Sequence, residues 1–121
     1  MTVGGATDSD LTPPFVVADG GDITMFDSIE RLSGYLEHYD VNDDVYSAWD
    51  ATGRTVWLSV GPKDEVQATS GELSDQSRAN LRSVLVEFVA AVQASRPDLG
   101  LPSTAGLSLG DLVATVRTLS R

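Results

Sequence analysis

The chain has 121 residues, 41% apolar and 21% charged, enough for one domain that buries roughly two-thirds of its unfolded surface. It contains no cysteine, which excludes a disulfide scaffold, a thiolate zinc site and a thiol nucleophile, and makes a cytoplasmic setting the simpler expectation. Its net charge of −10 lies wholly in residues 1–50, where eleven acidic residues face Arg31 alone; residues 51–121 balance seven against seven.

A one-sided negative field repels nucleic acid and anionic membrane and attracts basic partners. Autonomous nucleic-acid binding needs clustered Lys and Arg to neutralise phosphates, so neither nucleic acid nor membrane is expected as a partner. The preference for Arg over Lys, seven to one, fits a GC-rich genome.

Residues 1–14 are small, polar and acidic, end in Pro13-Pro14, and read as a flexible acidic tail before a single domain over 15–121. Residues 1–6 lack the positive start and apolar stretch of a signal peptide. Two β-favouring runs, Phe15-Val16-Val17-Ala18 and Ile23-Thr24-Met25-Phe26, flank Asp19-Gly20-Gly21-Asp22 and predict a hairpin. The two glycines serve the turn. A phosphate cradle would need more glycines, a following helix and a lysine.

A helix opens at Asp27, with Asp27 and Glu30 as a capping box, and stops by Asp40. Its stripe is Phe26, Ile29, Leu32, Tyr35 and Leu36, and Gly34 suggests close packing. After a turn at 41–44, strands are expected over 45–49 and 55–60, with Gly53 in the left-handed position of a bulged loop. Alternation puts Val45, Ser47 and Trp49 on one face and Tyr46 and Ala48 on the other; Val56, Leu58 and Val60 oppose Thr55, Trp57 and Ser59. Residues 66–69 suit a short edge strand.

The clearest helix is 76–95, capped by Ser74 or Asp75, with Leu81, Val84, Leu85, Phe88, Val89 and Val92 on one face and Pro97 beyond its end. After a loop at 98–107, Ser108 caps a final helix to Leu119, striped by Leu109, Leu112, Val113 and Val116. The order β-β-α-β-β-(β)-α-α predicts an α+β fold, with an antiparallel sheet of four to five strands and helices packed on one face.

Chemistry-bearing motifs are scarce. Asp40, Asn42 and Asp44 have the first spacing of a calcium loop, but Val45 stands where its glycine belongs and Ala51 where its bidentate Glu belongs. His38, the one histidine, lacks companion ligands or a G-x-S-x-G serine and reads as a surface residue at a helix end. No catalytic, metal or cofactor residue is therefore expected, and the chain reads as a non-enzyme; carboxylates chosen from many are weak grounds for a hydrolase.

Trp49 and Trp57 flank the Asp50–Arg54 turn, and core packing is the simpler role for both. The functional alternative sets Tyr39, Tyr46 and Trp57 on an open sheet face, rimmed by Asp40, Asp43, Asp44 and Asp50. An aromatic centre ringed by acid suits a basic protein partner.

The residues Phe15-Val16-Val17, Gly20-Gly21-Asp22-Ile23, Phe26-Asp27-Ser28-Ile29-Glu30, Tyr35-Leu36-Glu37, Asp40-Val41 and Asp50-Ala51-Thr52-Gly53-Arg54 carry a pattern that resembles small acidic actinobacterial proteins. Some of these are similar to immunity proteins of polymorphic toxin systems. The resemblance covers the N-terminal half, rests on turns and caps, and transfers no functional residue. It implies a binding module that occludes a toxin. The alternative is a structural protein that self-associates as a homodimer through a sheet edge or the last helix.

Overall fold

The computed structural model describes residues 11–36, 41, 46–101 and 103–119. Among the described residues, five strands and three α-helices follow in the order β1 (Phe15–Asp19), β2 (Asp22–Phe26), α1 (Ile29–Tyr35), β3 (Tyr46–Trp49), β4 (Val56–Val60), β5 (Val66–Ser70), α2 (Asp75–Ser95) and α3 (Leu109–Leu119). A 3-10 turn, Pro97–Leu99, follows α2. The fold is α+β with antiparallel pairing throughout.

The strands form two sheets rather than one. The first has the order β2-β1-β3, and the second is β4-β5. Among the described residues, β3 and β4 meet only at an isolated bridge, Trp49 opposite Thr55. Val56, Leu58 and Val60 share an apolar side that joins the cluster of Phe15, Val17, Leu32 and Leu36, so β4 turns out of line to cover a face of the first sheet.

The helices also divide between faces. Val16, Ile23 and Trp49 pack against Leu81, Leu85 and Val89 of α2 and Leu112, Val113 and Val116 of α3. Phe15, Val17, Phe26 and Ala48 point the other way, toward Leu32 and Leu36 of the α1 segment and Val56, Val66 and Ala68 of the second sheet. The three-stranded sheet is thus covered on both sides, and the expectation of helices on one face is corrected. Fully burying a Val, Leu or Ile contributes about 1.5–3 kcal/mol, so the interior positions of β1 tie the two layers together.

Caps explain the boundaries. Ser28, not Asp27, caps α1, its side chain accepting the Arg31 N–H at 3.1 Å. Asp27 instead pairs with Arg117 of α3 at 2.5 Å. The described helix closes at Leu36, where the backbone is extended, and Gly34 meets open space rather than a neighbour. Ser74 caps α2 in a reciprocal box with Ser77, a residue whose short side chain fits the buried first turn. Ser108 accepts the Asp111 N–H at the start of α3.

At the N-terminal end, Leu11 is buried in the core and Thr12 is bonded to Asp50 and Ala51. Leu11 and Thr12 thus pack and bond with the domain, although they lie within the 1–14 stretch expected as a tail. No helix among the described residues is long and apolar enough to cross a membrane.

Candidate functional site: two clefts meeting at Tyr46

The first cleft lies on the three-stranded sheet beyond the reach of the second sheet. Gly20, at φ +64°, and Gly21 close a two-residue turn that sets Asp19 directly opposite Asp22. Directly opposed residues on one face have Cβ atoms about 4.5–5.5 Å apart, and like charges placed so repel. Alternation puts Val17 and Asp19 on the same face of β1, and Thr24 shares that face from β2. Leu36 and the tyrosines Tyr35 and Tyr46 complete a cavity of about 430 Å³.

Tyr35 is 65% exposed, and its ring stacks at a tilt on Phe26 with centroids 5.3 Å apart. Phe26 is buried, so the tyrosine has a fixed support. The result is an apolar floor, two phenols and a pair of carboxylates. A Lys or Arg side chain has the matching form, an apolar stem with a charged head that stacks on rings.

The second cleft is the gap where β3 and β4 part. Its cavity of about 300 Å³ is lined by β3 from Tyr46 to Trp49, by the chain from Thr55 to Leu58, and by Val41 and Asn80. Tyr46 lines both clefts.

The loop between these strands is held by Asp50, and its role differs from the one expected. Asp50 is fully buried, not part of an exposed rim. Its Oδ1 accepts the Thr52 N–H at 2.9 Å, the Thr52 hydroxyl at 2.6 Å and the Arg54 N–H at 3.0 Å; its Oδ2 accepts the Thr12 N–H at 3.0 Å. Burying a carboxylate is costly unless it is fully hydrogen-bonded, and four donors meet that need. Gly53, at φ +94°, lies against Arg78 of α2, where a Cβ would come within 2.5 Å of Cγ. Asp50 is therefore withdrawn from the partner-binding set on grounds of burial.

The other expected site residues divide. Tyr46 and Trp57 come together on the second cleft, and Trp57 is 60% exposed, its indole resting on Gly71. Trp49 is buried against α2 and α3 and has the core role. Tyr39, Asp40, Asp43 and Asp44 lie outside the described residues, as do His38 and the whole Asp40–Asn42–Asp44 spacing. Among the described residues no three His, Cys, Asp or Glu side chains come together as metal ligands.

From sequence alone Asp19 and Asp22 read as turn residues and Tyr35 as part of the helix's packed stripe, whereas Tyr35 is exposed. The signal that could have found them is the length of the turn. A two-residue turn makes its flanking residues cross-strand partners, so two aspartates there must face each other. Comparisons with protein-family models, curated proteins and solved structures find no match to this chain.

Proposed function

We propose that this protein is a non-enzymatic binding module whose acidic half receives a basic protein partner, in the manner of an immunity protein that blocks a toxin. One observation carries the reading. Asp19 and Asp22 oppose each other across the hairpin, beside two tyrosines and an apolar floor, and a cation between them would relieve their repulsion. The surrounding field, concentrated in residues 1–50, would steer such a partner and raise its association rate.

The test begins with the product of the neighbouring open reading frame, or with a basic protein captured from native lysate. Parent and Asp19→Asn/Asp22→Asn variant are compared for association rate at low and high salt. The parent should associate faster, and the difference should shrink as salt rises. Equal rates at every salt concentration would sink the reading.

Self-association is the second reading, favoured by the outer edges of the sheets, which pair with no further strand among the described residues. Light scattering separates the two, because a monomer at high concentration leaves only the first.

A further inference from the structure

The geometry points to the outer edge of β2 as a strand-addition site for an extended segment of a basic protein, one whose side chains alternate basic and apolar. The inference rests on the proposed basic partner and names how that partner is held.

Each sheet has two edges, and β2 holds the one left uncovered among the described residues. β3 and β4 meet at the bridge between Trp49 and Thr55. α1 lies in the same layer as the second sheet and packs against β5, with Leu32 in one cluster with Val66 and Ala68. β2 has no strand on its outer side. Its sequence, Asp22-Ile23-Thr24-Met25-Phe26, holds none of the proline or lysine that blunts a free edge, and its unbroken register with β1 leaves no bulge.

Two observations agree on which groups of β2 face outward. The two-residue turn makes Asp19 and Asp22 a hydrogen-bonded pair, so alternation turns Thr24 toward β1 and the N–H and C=O of Ile23 and Met25 away from it. From the far side of the sheet, Asp50 donates its N–H to Arg54 O at 2.9 Å, so Asp50 and Ala48 face β4. Trp49 then bonds its partner Val16, which leaves Val17 to bond Thr24 and again turns Ile23 and Met25 outward. Among the described residues no backbone group pairs with theirs.

An extended chain satisfies such a row, because main-chain hydrogen bonds supply affinity and alternate side chains supply specificity. Residues opposite Ile23 and Met25 would lie on the α2 side, where Ile23, Val84 and Phe88 help to line a cavity of about 200 Å³, and apolar side chains suit them. The residue opposite Asp22 would stand on the other face, in line with Asp19 and Tyr46, where positive charge is complementary. A second copy of this chain is a poorer fit. Antiparallel pairing of two β2 strands about Thr24 sets the Asp22 carboxylate against Phe26 and joins two halves that each carry a net charge of −10.

The experiment uses the end-blocked heptapeptide Lys-Val-Lys-Val-Lys-Val-Lys and follows amide exchange in the isotope-labelled full chain, free and with the peptide. In the free protein the Ile23 and Met25 amides should exchange faster than that of Thr24, and the peptide should slow both at least about tenfold. Methylating the valine nitrogens of the peptide, which would donate to β2, should weaken binding at least about tenfold, while methylating the lysine nitrogens should change it less than about twofold. Met25→Pro removes an outward N–H, spares the ladder to β1, and should weaken binding as much as methylated valines do. The methylated peptides decide the matter even where that variant folds poorly.

Binding without slower exchange at Ile23 and Met25, or binding that tolerates methylated valines, overturns strand addition and leaves the basic-partner reading intact. No binding at millimolar peptide overturns strand addition as well. The Asp19→Asn/Asp22→Asn variant should bind the peptide more weakly; equal slowing of both amides in that variant overturns the basic-partner reading while the added strand stands. Protection of Ile23 and Met25 already present in the free protein overturns strand addition, since the chain itself then covers the edge. Protection that grows with protein concentration alone overturns it in favour of a second copy.

Discussion

Asp50 and Thr12 are joined across 38 positions, with the Thr12 N–H donating to Oδ2 at 3.0 Å while Thr12 O accepts the Ala51 N–H at 2.9 Å. This exchange docks the segment entering β1 onto the loop that separates the two sheets. Replacing Asp50 with Ala takes the acceptor from three backbone donors, the N–H groups of Thr12, Thr52 and Arg54, in a part-buried setting. Hydrogen bonds to charged groups and unsatisfied buried donors each run to 1–3 kcal/mol, so the loss should be about 2–4 kcal/mol. Urea denaturation measures it, and a loss below about 1 kcal/mol would refute the role given to this carboxylate.

Gly53 and Gly20 both have positive φ, but only one is crowded. Gly20→Ala should cost about 1 kcal/mol for the left-handed backbone alone. Gly53→Ala adds a Cβ 3.0 Å from Arg78 Cα, so its cost should exceed that of Gly20→Ala by about 1–2 kcal/mol. Thermal melts of the two variants test the order, which equal costs would contradict.

The tryptophans should behave as opposites in stability. Trp49→Ala empties a site between the first sheet and α2, for a loss of about 3–5 kcal/mol. Trp57→Ala removes a side chain that is 60% exposed and should cost less than about 1 kcal/mol. Loss of affinity for the proposed basic partner in the Trp57 variant without loss of stability is the expected pairing.

Asp27 and Arg117 bridge the acidic half to the last helix, yet both side chains are about half exposed, at 66% and 47%. Exposed pairs contribute about 0–1 kcal/mol and are screened by salt. Asp27→Asn should therefore lower stability by under about 1 kcal/mol at low salt and by still less at high salt.

Asp19→Asn should separate stability from binding. It relieves a like-charge pair directly across the hairpin, so stability should hold or rise by about 0.2–1 kcal/mol. Association with a basic partner should slow in the same variant. A variant that loses stability would show that the two carboxylates support the fold.

Local features were legible in the sequence because they depend on neighbours a few residues away. The Gly20-Gly21 turn, the alternation in β3 and β4, the left-handed Gly53, and the helices from Ser74 and Ser108 follow from residue type and period. The division into two sheets was not legible, because Val56, Leu58 and Val60 would alternate identically beside β3 or folded over its face. Asp27 reads as a cap from its chain neighbours alone; its partner lies 90 positions away. Asp50 looked like one more surface acid for the same reason, since three of its four bonds are local but the burial that gives them weight comes from Thr12 and the packed layers. At the candidate site, Tyr46 and Trp57 were identified, while the Asp19–Asp22 pair required attention to turn length.

The unequal settings of the two indoles also equip the protein with its own optical reporters. Trp49, enclosed by aliphatic side chains of α2 and α3, should emit at short wavelength and shift red only as the layers separate. Trp57, open to water at the mouth of the gap, should emit at long wavelength and shift blue when something settles beside it. Ligand arrival and unfolding thus move the emission spectrum in opposite directions, and one unlabelled sample can distinguish them.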